Sequence, residues 1–234
     1  MAVEAVVFDW GGTLSTLAAI ELADMWRLAA RHLAPDREDE VMAKLAAVEA
    51  ASFARIAVDQ RATTLSSLLA LASAELNLDV AEAVLEEAAL RHLDSWTPHI
   101  VHDPDCGPVL AALKERGLHI GLLSNTHWPR AFHEHFLERD GLVGFIDVRC
   151  YTSEMTYTKP HPDAFLTVLD DLGVGDPSAA VFVGDRQYDD VWGAQQVGMK
   201  GVWRWSDQVP LYDVEPDGVV KALPELVPLV DSWR

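Results

Sequence analysis

"VVFDWGGTLS", residues 6–15, sets the reading of the whole chain. An apolar, β-branched run stops at one aspartate, Asp9, and two glycines and a threonine follow at once. That texture is a buried parallel strand ending in a carboxylate and a tight turn. The same texture recurs downstream in "HIGLLS" (119–124), "AAVFVG" (179–184) and "GVWRW" (201–205), and more weakly in "FIDVRCYT" (145–152). Between these runs lie helical patterns: "PVLAALKERG" (108–117), "HPDAFLTVLDDLG" (161–173) and "DVWGAQQVG" (190–198). The first two close on a glycine suited to a helix C-terminus. Strands alternating with helices of this length imply right-handed crossovers and an α/β fold with a doubly wound parallel sheet.

Residues 16 to about 96 break the alternation. They hold no convincing strand, only four amphipathic helical patterns near 18–33, 37–58, 64–76 and 79–95. An all-helical block inserted after the first strand reads as a cap domain over 16–97, with residues 1–15 and 98–234 forming the α/β core domain. The expected hinges are Leu14–Thr16 and the turn-rich "SWTPHIVHDPDCG" (95–107).

Bulk composition narrows the partners. The 234 residues are half apolar, enough for a sizeable core, and no run approaches the roughly 20 apolar residues of a membrane span. The N-terminus lacks a basic stretch followed by an apolar one, so no export signal is read and a cytoplasmic location is expected. Cys106 and Cys150 have neither metal-ligand nor redox-motif spacing and read as buried thiols. A formal charge of −19 argues against a nucleic acid partner. It also repels anions at long range, so any phosphate site must be locally positive or carry a metal ion.

Ligands of open α/β sheets lie beyond the carboxyl ends of the strands, where strand order reverses. Four such places carry residues able to handle phosphate. Asp9 comes first, with Gly12 and Thr13 behind it. Ser124 and Asn125 end the next core strand. Lys159 precedes Pro160 at a helix start. Asp185 follows Gly184, with Asp189 and Asp190 opening the next helix. Singly, each has an ordinary reading as a cap, turn or solvated residue. Together, in chain order and on one edge of one sheet, they resemble the haloacid dehalogenase superfamily. "FDWGGTL", "LLSNT", "TKPHPDAF" and "VFVGDRQYDD" correspond to its four motifs, and the helical insert looks like its type-one cap.

The resemblance implies a hydrolase, most simply a phosphatase of small phosphorylated molecules, with Asp9 as nucleophile forming an aspartyl-phosphate. It implies Mg²⁺ held by Asp9, the backbone carbonyl of Gly11, Asp185 and Asp190, the last preferred over Asp189 by the "VWGAQQVGM" that follows. Ser124 and Lys159 would hold the transferring oxygens, and backbone N–H groups near Gly11 and Gly12 the rest. Asn125 and His127 complete the expected phosphate-binding set. The chain is expected to act as a monomer or homodimer.

One position departs from the pattern. Phosphatases of the superfamily carry a second aspartate where this chain has Gly11, and use it to protonate the leaving group. Glycine keeps the backbone ligand and loses the acid, so His127 is read as a substitute proton carrier, or otherwise as a surface residue opening the next helix. Three alternatives stay open. Phosphonoacetaldehyde hydrolases have alanine at this position and use a cap lysine, for which Lys44 is the one available residue. Dehalogenases also lack the aspartate and need no metal. A non-catalytic phosphate-binding protein is the third. Trp10 and Trp128 adjoin motif residues and are read as walls of a substrate pocket, and the acidic "DREDE" (36–40) as a solvated helix start.

Overall fold

The computed structural model describes residues 2–234. Six strands form one parallel sheet: β1 (Ala5–Phe8), β2 (His119–Ser124), β3 (Val148–Tyr151), β4 (Ala180–Gly184), β5 (Lys200–Arg204) and β6 (Gly218–Val220), in the spatial order β3-β2-β1-β4-β5-β6. All four residues of β1 are fully buried. Their side chains alternate between two apolar clusters, Val6 and Phe8 in one, Ala5 and Val7 in the other. Period-two alternation into two cores is what a sheet covered on both faces requires. One core receives α5 (Cys106–Glu115) through Leu110 and Leu113, α6 (Arg130–Arg139) through Phe136, and α9 (Leu226–Asp231) through Leu226 and Val230. The other receives α7 (Pro162–Asp171) through Phe165 and Val168, and α8 (Gly193–Gln196) through Ala194. From β1 the chain runs through β2 to β3 on one side, then crosses back to place β4 against β1. The order therefore reverses between β1 and β4, and a crevice opens beyond their carboxyl ends.

The helical block occupies the β1–β2 connection. A 3₁₀ turn (Leu22–Trp26) leads into α1 (Arg27–Leu33), followed by α2 (Glu38–Asp59), α3 (Leu65–Glu75) and α4 (Glu82–Trp96). The outgoing and returning strands of chain lie side by side. Ser15 bridges His102, the Thr16 N–H donates to the Val101 carbonyl at 2.9 Å, and the Asp103 N–H donates to Leu14 at 2.9 Å. The α2–α3 turn reaches back to the sheet edge. Thr158 N–H donates to the Gln60 carbonyl at 2.8 Å and Ala62 N–H to Thr156 at 3.0 Å. Leu65 N–H donates to the His127 carbonyl at 2.7 Å.

Locally the structure departs from the sequence reading in several places. Helix does not begin at 18; the chain is irregular until the 3₁₀ turn at Leu22, and α-geometry starts at Arg27. The weak strand narrows to Val148–Tyr151, with 3₁₀ turns at Val143–Phe145 before it and Thr152–Glu154 directly after it. The pattern expected to be one helix over 190–198 opens as a wide π-turn, Gln187–Trp192, before α8. β6 and α9 have no counterpart in the sequence reading. Cys106 and Cys150 are buried free thiols, as expected, and no helix of the described residues is long and apolar enough to cross a membrane.

One buried group makes stability depend on pH. His133 on α6 is fully buried, stacks on Tyr151 with centroids 4.7 Å apart, and has no partner for Nδ1. Burial, helped by His127, pushes it down to about 3. Its folded pKa lies below the ordinary 6.5, so the unfolded chain binds the extra proton. Its contribution to stability is complete above pH 6.5 and is lost as pH drops towards 3, by about 1.4 kcal/mol per pH unit. Chemical unfolding of the native protein and His133→Phe between pH 7 and 4 checks this. The stability gap should shift by about that slope in the variant's favour as pH falls, whereas parallel profiles would refute the assignment.

Candidate active site

β1 and β4 lie next to each other in register, Phe8 beside Val183, so the residues that follow them emerge together. Asp9 is held at once by its own N–H, which donates to the Val183 carbonyl at 2.9 Å. Asp185 follows Gly184, and its carbonyl accepts the Trp203 indole N–H at 2.9 Å, which pins the turn. Asp190 sits in the π-turn, where one carboxylate oxygen accepts the Arg186 N–H at 2.9 Å. The wide turn carries Asp190 back under the strand end, where it is fully buried. Asp189, the other register considered, is less buried and lies outside the carboxylate trio.

Asp9, Asp185 and Asp190 each offer a carboxylate oxygen within 4.8 Å of the others. One cation sits among them. Lys159 Nζ lies 2.7 Å from an oxygen of Asp9 and 2.7 Å from an oxygen of Asp190, at 2% exposure. The lysine reaches this place because Asn125 clamps its backbone on both sides. The Asn125 amide donates to the Lys159 carbonyl at 2.9 Å, and the Lys159 N–H donates to Asn125 Oδ1 at 2.9 Å. Ser124 is buried at the last position of β2, on the same sheet edge. The sequence reading put Asn125 with the phosphate ligands; its amide here engages Lys159, so it acts on the site through that lysine.

Three carboxylates against one ammonium leave the site short of positive charge. Burial drives Asp9 up to about 6 in spite of Lys159, and burial with the fields of Asp9 and Asp190 drives Asp185 to about 8. Lys159 shows the reverse balance: burial pulls it down, but Asp190 and Asp9 together raise it above the usual lysine range. Both oxygens of Asp185 are buried without any hydrogen-bond partner. A buried carboxylate left so is costly unless a cation meets it. An all-oxygen, carboxylate-rich donor set of this kind fits a hard divalent ion.

The two glycines of the turn differ. Gly12 has φ +78°, and a Cβ there would overlap the Asp185 carboxylate, so only glycine lets the turn pass this close. Gly11 is outside the left-handed region, and a Cβ there meets nothing within 4 Å. Thr13 hides an unpartnered hydroxyl behind the turn.

His127 is not the surface residue that one reading made it. It is 8% exposed, and helix α6 starts three residues later, at Arg130. Its Nε2 faces Glu49 of α2 at 3.5 Å, and its ring lies 6.1 Å from that of His92 on α4. Neither Glu49 nor His92 entered the sequence reading. Lys44 stands on α2 in an ion pair with Glu75 at 3.0 Å, one-third exposed. Trp10 is buried, donates its indole N–H to His102 at 3.0 Å and meets Trp128 edge-on.

Comparison with known proteins places the chain in a family. Residues 3–198 match the family model described as haloacid dehalogenase-like hydrolase. A glyceraldehyde 3-phosphate phosphatase of Pyrococcus furiosus is 30% identical over 139 residues, 55% of this chain and 54% of that protein. The chain spans about half the length of the curated relatives it matches. Among solved structures, a HAD phosphatase from Thermococcus onnurineus superposes with TM-score 0.63 at 25% identity, covering 97% of this chain and 98% of that one. A 2-haloacid dehalogenase from Pseudomonas syringae superposes with TM-score 0.76 at 22% identity, covering 99% and 100%, a likeness of fold alone.

Proposed function

The chain belongs to the haloacid dehalogenase-like hydrolases, and from that premise we propose that it is a Mg²⁺-dependent phosphatase acting on a small organophosphate through an aspartyl-phosphate on Asp9. The observation that carries the reading is the convergence of Asp9, Asp185 and Asp190 around Lys159 beyond β1 and β4. Asp9, Asp185, Asp190 and the Gly11 carbonyl are the residues that would hold Mg²⁺. The ion would supply charge neutralisation, which lets a carboxylate approach a phosphate dianion.

The chain's own groups do the rest. Lys159 holds Asp9 ionised and directs its charge to the equatorial phosphoryl oxygens, and the Ser124 hydroxyl donates to another of them. An Asp9 oxygen attacks phosphorus, the ester P–O bond breaks, and the alcohol leaves with a proton taken from water or a neighbouring group. Water then attacks the phosphorus of the acyl phosphate, releasing phosphate and restoring Asp9. The helical insert serves as a lid over this edge, positioned through the α2–α3 turn that bonds to the Lys159 loop. A phosphonatase chemistry draws no support from Lys44, whose ammonium is engaged with Glu75. The buried acidic trio likewise favours a metal-dependent phosphatase over a metal-free dehalogenase.

A panel of phosphate esters including glyceraldehyde 3-phosphate, run with Mg²⁺ and with chelator, tests the reading. Phosphate release that requires Mg²⁺ is expected. Halide release from 2-haloacids in chelator, or acetaldehyde from phosphonoacetaldehyde, would replace the reading with a sister chemistry. Binding of phosphate without turnover would make the protein a sensor.

A further inference from the structure

We propose that Glu49, His92 and His127 form a second metal site, built for a borderline ion such as Zn²⁺, which ties the helical insert to the sheet domain. The three residues come from α2, α4 and the β2–α6 loop, and each offers a ligand atom within 4.8 Å of the other two. None touches the acidic trio at Asp9 in any hydrogen bond or ion pair. The inference does not rest on the phosphatase reading.

Two of the three residues bring buried nitrogens that have no partner. Nε2 of His92 and Nε2 of His127 have no hydrogen-bond partner, in residues 0% and 8% exposed. Two orphaned imidazole nitrogens in one small space are costly without a ligand. Outer groups already orient the set. The Nδ1 of His92 faces the Met25 carbonyl at 3.2 Å; donating its proton there leaves Nε2 with the free lone pair. The Trp26 indole donates to Glu49 Oε2 at 2.9 Å, which leaves Oε1 to face His127 Nε2 at 3.5 Å. A ligating histidine whose second nitrogen meets a backbone carbonyl, and a carboxylate steadied by its other oxygen, are the usual second shell of a zinc site.

The spacing fits. Two ligands at the ordinary Zn–N and Zn–O lengths of about 2.0–2.1 Å on a tetrahedral ion stand about 3.3 Å apart. His127 Nε2 and Glu49 Oε1 are 3.5 Å apart. Each residue brings one ligand atom within 4.8 Å of one atom of each of the others, so the widest such separation must close by at most about 1.5 Å. Burial pushes His92 to about 3 and His127 to about 4, so both rings are neutral, the form that binds metal. Two imidazoles and one carboxylate are a zinc donor set, and one that Mg²⁺ avoids.

Cobalt serves as the spectroscopic probe. Co²⁺ titrated into the native protein under excess Mg²⁺ should bind at one equivalent, give the intense visible absorption of a four-coordinate ion, and be displaced by Zn²⁺. The band should persist in Asp185→Asn, since that change disables only the acidic site. It should vanish, or need at least about tenfold more Co²⁺, in Glu49→Gln and His92→Gln. If those variants fail to fold, X-ray absorption of zinc-loaded native protein decides, with two imidazoles expected in the first shell. Absence of the band, an oxygen-only shell, or loss of the band in Asp185→Asn would overturn the site.

Discussion

Asp9→Asn is expected to lose at least about 10³-fold in turnover while folding as the native protein does, in line with the effect of deleting other enzymatic nucleophiles. The substitution keeps shape. The Asp9 backbone bond to Val183 is untouched, and the new amide oxygen still accepts from Lys159 Nζ. What disappears is the negative oxygen that attacks phosphorus. Stability should hold or rise, because one of three crowded carboxylates is gone and burial already strains Asp9 upward to about 6. Beryllium fluoride, which imitates the acyl phosphate, should raise the melting temperature of the native protein in Mg²⁺ and leave that of the variant unchanged. Near-native turnover in Asp9→Asn would remove Asp9 as nucleophile and the proposed mechanism with it.

The parts of this site that could be read in the sequence are those that strand ends dictate. Asp9, Ser124 and Asp185 stand at or immediately after apolar runs, and parallel pairing brings such ends to one edge whatever the loops do. Lys159 was legible only as the neighbour of a helix start. Its arrival at 2.7 Å from two carboxylates depends on the Asn125 clamp, a contact across 34 residues that no local pattern announces. β6 escaped because it is a three-residue edge strand, too short for a period to show. Glu49 and His92 escaped for another reason. Both lie on the buried stripes of amphipathic helices, Glu49 four residues after Leu45 and His92 four after Ala88. A carboxylate on an apolar stripe is a local signal. Its partners, though, come from α4 and from beyond β2, so only the folded insert shows what the signal is for.

Gly11 bears on the proton, and its replacement carries the other large expected effect. With no acid at this position, native activity should depend steeply on leaving-group pKa. Aryl and acyl phosphates should turn over and alkyl phosphates hardly at all, because an unprotonated alkoxide leaves poorly. Gly11→Asp should raise alkyl-phosphate turnover by up to the roughly 10²–10⁴-fold of general acid catalysis, with little gain on aryl esters. The backbone accepts the change: Gly11 is outside the left-handed region and its Cβ position is open to 4 Å, while the strained role in the turn falls to Gly12. The Cβ of the new side chain therefore meets no neighbour, in contrast to Gly12, where it would overlap the Asp185 carboxylate. Gly11→Ala separates the two effects of the substitution, since it stiffens the loop equally and brings no carboxyl group. kcat/KM across a series of aryl and alkyl esters for the three proteins measures the slope directly. A shallower slope confined to Gly11→Asp means the glycine marks a missing acid. A native slope that is already flat means the proton comes from another group, and the carboxylate would then add nothing.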